Sequence, residues 1–102
     1  MSIESPNQSG STHFDPPLHQ IKARQMGELV RGDSRWDVVL ESVLDPEVNG
    51  VRGRIHFVSG AVHRLTTWIF LEWSDSDVEN RFSELASDSQ MLWNLLGSLE
   101  EH

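Results

Sequence analysis

His56 and His63 are the residues whose type and spacing come nearest to chemistry. Ser59-Gly60 lies between them and reads as a tight turn, so the two histidines fall on the arms of one hairpin. A two-residue Ser59-Gly60 loop sets Val58 opposite Ala61, Phe57 opposite Val62 and His56 opposite His63. Facing imidazoles can share a metal ion, or one can act as a base near neutral pH. A metal needs further ligands, and the neighbours expected on that face are Val39 or Val43, with no carboxylate beside the pair. Arg52 and Arg54 precede the histidines at a period of two. Arg52, Arg54, His56 and His63 therefore form a basic strip that suits an anion or a carboxylate-bearing ligand. Acids on the preceding strand can neutralise the same arginines. An Asn49-Gly50 loop pairs Glu47 with Arg52 and Asp45 with Arg54, whereas a longer loop pairs Glu41 with Arg54.

Other local patterns carry less. Asp75-Ser76-Asp77-Val78-Glu79 opens like a calcium loop, but Asn80 stands where the glycine belongs and Ala86 where the closing glutamate belongs. Acids at the start of a helix explain the run better. Arg31-Gly32-Asp33 and the sequon Asn7-Gln8-Ser9 are short enough to recur by chance. There is no G-x-S-x-G elbow, phosphate-binding glycine loop, H-E-x-x-H or dinucleotide fingerprint. The absence of cysteine excludes disulfides, thiol catalysis, iron–sulfur clusters and cysteine zinc sites. No catalytic residue, metal or cofactor is assigned, and the chain is expected to be non-enzymatic.

The elements that must position these residues follow from hydrophobic period. Residues 1–15 are polar and are expected to form a disordered tail, leaving one domain over 16–102. Pro16-Pro17 suits a first helical turn, Leu18, Ile21, Met26, Leu29 and Val30 follow at helical spacing, and Gly32 offers a stop. From Trp36 the period becomes two. Strands are expected at 36–44 and 51–58, and a long third strand at 61–73. Ser76 with Glu79 and Ser87 with Gln90 read as helix starts, followed by the stripes Val78, Phe82, Leu85 and Met91, Leu92, Leu95, Leu96, Leu99. The expected fold is α+β: a three-stranded antiparallel meander with an N-terminal helix and two C-terminal helices, in the order α-β-β-β-α-α.

One sheet face collects Trp36, Val38, Leu40, Leu44, Val51, Ile55, Phe57, Val62, Trp68 and Phe70, a core face for the C-terminal helices. The other turns apolar along the third strand, through Leu65, Ile69, Leu71 and Trp73. Either the N-terminal helix or another chain must cover those four. Of the formal net charge of −8, the last third carries nearly all: residues 71–102 hold eight acids against Arg81 alone. That disfavours nucleic acid, whose phosphates attract basic surfaces. It keeps a small protein soluble and suits a basic protein partner. No run is long and apolar enough for a membrane helix, and the N-terminal residues do not read as a signal peptide, so a cytoplasmic location is expected.

The expected function is a small acidic protein-interaction module of adaptor, inhibitor or toxin-neutralising type. Its contact residues would be Leu65, Ile69, Leu71 and Trp73, with Asp75, Asp77, Glu79, Glu84 and Asp88, and its partner another protein or a second copy. The alternative is a ligand- or metal-binding domain using Arg52, Arg54, His56 and His63.

Overall fold

The computed structural model describes residues 21–99. The expected tail and the proline-led start of the N-terminal helix lie outside the described residues. Five strands and two helices follow in order: β1 (Ile21–Arg31), β2 (Ser34–Asp45), β3 (Gly50–Ser59), β4 (Val62–Leu65), β5 (Phe70–Glu72), α1 (Asp75–Ala86) and α2 (Ser89–Gly97). The sheet is antiparallel, in the order β1-β2-β3-β4, and β5 pairs with β3 on the same side as β4. The fold is α+β, but it is not the expected three-stranded meander with an N-terminal helix.

The first correction concerns residues 21–31, which form a strand and not a helix. β1 pairs along nearly all of β2, from Ile21 opposite Val43 to Arg31 opposite Ser34. Gly32, expected to stop a helix, opens a two-residue hairpin loop at φ 59. Two features hid the strand. The register slips between Gln25 and Gly27, and this bulge breaks the alternation of the apolar residues. In addition, the residues of β1 turned toward the helices include Lys22, Arg24 and Arg31 beside Leu29, so the inward positions are largely basic.

The second correction concerns residues 61–73. They do not form one long strand; β4 and β5 are separate pieces, each paired with β3. His56 lies opposite Leu65, and Arg52 lies opposite Leu71, so two residues more stand on the outer chain than on β3 between these pairs. Thr66 closes the break from inside. Its N–H donates to the Ile55 carbonyl at 3.0 Å, and its Oγ1 accepts the Ile55 N–H at 3.0 Å. Trp68 folds away from the core face, onto the Arg54 guanidinium.

Both helices pack on one face of the sheet. The core joins Leu29, Val38, Leu40, Val51, Ile55, Phe57 and Phe70 to Val78 and Phe82 of α1 and Leu92 and Leu96 of α2. Burying each large apolar side chain stabilises the fold by roughly 1.5–3 kcal/mol. Of the residues expected on that face, Leu44 remains exposed at its margin. The helix starts fall near the expected places but use different caps. Ser74 Oγ accepts the Asp77 N–H at 3.1 Å, and an Asp88 carboxylate oxygen accepts the Gln90 N–H at 3.0 Å. At the other end of α2, the guanidinium of Arg64 donates to the Leu96 carbonyl at 3.2 Å and lies over Trp36.

Candidate functional site on the open face of the sheet

With both helices on one side, no described element covers the other. Strand alternation places Ile21, Val30, Val39, Val43, Val58, Leu65 and Leu71 there, among charged residues. The first hairpin sets which charges meet. Its loop is the longer alternative, Pro46 to Asn49, between the paired residues Asp45 and Gly50. Asn49 takes φ 54 and donates its N–H to the Pro46 carbonyl. Glu41 consequently lies opposite Arg54, and the two-residue register with Asp45 opposite Arg54 is not formed.

Glu41 is the centre of the site. Its Oε1 accepts from Arg54 Nε at 2.8 Å and lies 2.6 Å from His56 Nε2. His56 Nδ1 lies 2.8 Å from His63 Nε2, and the two rings lie edge to edge, 5.1 Å between centroids and 14° from parallel. The Arg54 guanidinium carbon sits 4.1 Å over the Trp68 ring. The result is one continuous line across three strands: Trp68 on Arg54, then Glu41, His56 and His63. Arg54, Glu41, His56 and His63, with Val39 and Val58, line a shallow depression of about 470 Å³.

Burial would raise the Glu41 pKa. Hydrogen bonds from Arg54 and His56, with their charges, outweigh that and hold the carboxyl below its ordinary range. An ionised Glu41 only accepts, so His56 Nε2 donates to it.

The histidine pair expected from the sequence is therefore present, in a different arrangement. His63 stands opposite Val58, not His56, because the turning residues are Gly60 and Ala61. The imidazoles meet on the diagonal. The expectation of no neighbouring carboxylate is overturned by Glu41. Val39 does lie directly opposite His56, but Glu41 is two residues further along the same face. The longer loop was the signal that could have found it. Arg52 belongs to a separate pair with Asp45 at 2.5 Å.

The residues expected at a protein interface divide into two groups. Leu71 and Trp73 are 59% and 79% exposed, and with Val48 they line a cleft of about 240 Å³ at the β2–β3 turn. Ile69 is 41% exposed and precedes β5, and Leu65 is half-buried opposite His56. The acids lie on the helical side and largely serve the fold. Asp75 accepts from Ser42 Oγ and pairs with Lys22 at 3.3 Å and Arg24 at 3.1 Å. Burial alone would raise the Asp75 pKa, but the Ser42 hydrogen bond and the Arg24 and Lys22 charges bring it below its ordinary range. Glu79 pairs with Arg24 at 2.7 Å, Glu84 with Arg81, and Asp88 caps α2. Asp77 lies in the first turn of α1.

Among the described residues no helix is long and apolar enough to cross a membrane. No protein-family model, curated protein or solved structure matches this chain.

Proposed function

We propose that the protein is a non-enzymatic interaction module that pairs with a second copy of itself through the open face of the sheet. The observation that carries this reading is the exposure of Leu71 and Trp73 at the rim of a face that no described element covers.

Charge favours a copy as the occupant. The chain as a whole has a net charge of −8, so two copies repel through most of their surfaces. On the open face the cations are matched within the chain: Arg35 with Glu28, Arg52 with Asp45 and Arg54 with Glu41. That face is close to neutral and can approach its own image. Its size is suitable. Strands β1, β2 and β3 have 11, 12 and 10 residues. At ~3.3 Å per residue and ~4.8 Å between strands, four strands abreast give roughly 600 Å² of flat area. This is of the order of the ~800 Å² per partner in a standard interface.

Light scattering tests the reading. The full chain at micromolar concentration should show twice the 11.6 kDa chain mass. Leu71→Asp and Ile69→Asp should each return it to single mass with an unchanged circular dichroism spectrum. A single-mass wild type, or variants that still pair, would sink the proposal.

A further inference from the structure

The open face carries a projection at one end and a hollow toward the other. Trp73 is 79% exposed and follows Leu71 by two residues, which sets it level with Gly50, because Glu72 lies opposite Val51. The hollow is the depression about His56, walled by Val39, Val58 and His63 and lying six residues further along β3. At ~3.3 Å per residue the two features are roughly 20 Å apart, so they cannot meet within one chain. They can meet between two copies. In a two-fold pair a residue that touches another is matched by the reverse contact, so both projections would find hollows at once.

We propose that Trp73 of each copy seats in the depression of the other, at the margin formed by Val58 and His63, with the two copies turned end for end. Seating of this kind rests on the self-pairing proposed above and sets its orientation. The axis follows from where the features lie. β4 and β5 pair with the same side of β3, so Trp73 and the His63 margin stand along one line. A two-fold axis that crosses the strands exchanges their ends and keeps that line. An axis along the strands keeps the ends and sets Trp73 over the partner's β1 instead. The crossing axis passes between Arg52 and Arg54, and each brings its own counter-ion, Asp45 at 2.5 Å and Glu41 at 2.8 Å. The ring of Trp73 is then covered by Val58 and His63 of the other copy, while its N–H stays in water at the rim. The β2–β3 turn of one copy comes to lie beside the β3–β4 turn of the other.

Complementation in the full chain tests this. Trp73→Ala removes the projection, and Val58→Trp fills the hollow. Each alone should weaken pairing by roughly tenfold or more in sedimentation equilibrium, with an unchanged circular dichroism spectrum. Mixed in equal amounts, the two variants should pair more tightly than either does alone, because one projection still meets one open hollow. A second measurement does not depend on the folding of Val58→Trp. The chain has no cysteine, so single thiols can be placed in the exposed turns. A short bismaleimide should join Val48→Cys to Ala61→Cys, and should not join Val48→Cys to itself. A mixture no tighter than its components, or Val48→Cys joined to itself, would overturn the end-for-end seating while the wild type keeps double mass. A wild type of single mass would instead remove the self-pairing, and the seating with it.

Discussion

Glu41 shows how one side chain governs a surface. Its carboxylate holds Arg54 and His56 in place, and both depend on its being ionised. The pKa values of Glu41 and Asp75 lie below their ordinary values of 4.5 and 3.8. Below the ordinary value the unfolded chain takes up protons before the folded chain does. The stability these groups contribute is therefore complete above those values and is lost as pH falls through the lowered folded-state values. Acid titrations followed by circular dichroism should show Glu41→Gln and Asp75→Asn losing less stability than the wild type in that range. Thr66 is a second case. It is buried, and its hydroxyl takes the place of a strand carbonyl for the Ile55 N–H. Thr66→Val strands that donor and should cost about 1–3 kcal/mol in urea unfolding. Neither role was legible in the sequence, where Glu41 was one of two candidate partners for Arg54 and Thr66 one residue of an expected strand. Both roles depend on the register, and hairpin loop length decides the register.

Among the elements, the C-terminal helices and the central strands were legible because apolar period alone defines them. The stripes Val78, Phe82 and Leu92, Leu96 face the core as spaced. β1 was not legible, because its inward residues bond to acids on α1 instead of burying hydrocarbon. Arg24 reaches both Asp75 and Glu79, so the seam between β1 and α1 is ionic where a helix-on-sheet contact is ordinarily greasy. The close contact lies further in, where α1 crosses β3 at Gly53. A Cβ at position 53 would stand 2.6 Å from Val78 Cγ1 and 3.2 Å from Phe70 side-chain atoms. Gly53→Ala must push the helix outward, and a loss of about 1–3 kcal/mol in thermal or urea unfolding is expected. A hydrophobic pattern contains no record of such an approach, because glycine contributes nothing to it.

At the scale of the molecule, charge is divided between two sides: a near-neutral sheet face and a helical side that carries Asp77, Glu84 and Asp88. The sequence showed the acidic excess of the last third. It could not show that Glu28, Asp37, Glu41 and Asp45 would share the opposite face with three arginines, since that needs the strand pairing. The division fixes the sign of a salt effect. Self-association through the neutral face is opposed by long-range repulsion between acidic chains, which salt screens. Sedimentation at rising sodium chloride should show tighter pairing, whereas an interface held by ion pairs across it would loosen.

The two surplus residues between β4 and β5 matter for how assembly stops. An unbroken outer ribbon would offer a template on which further chains could lengthen the sheet without limit. Here the ribbon is cut at 66–69, and Trp68 within the cut turns onto the Arg54 guanidinium. At the opposite margin β1 is kinked at Gly27. With both rims spoiled for end-on growth, stacking on the flat side is what remains, and a stack of two has no free flat side left. Removing residues 67 and 68 should heal the cut, and dye-binding assays should then find fibres where the natural chain forms none.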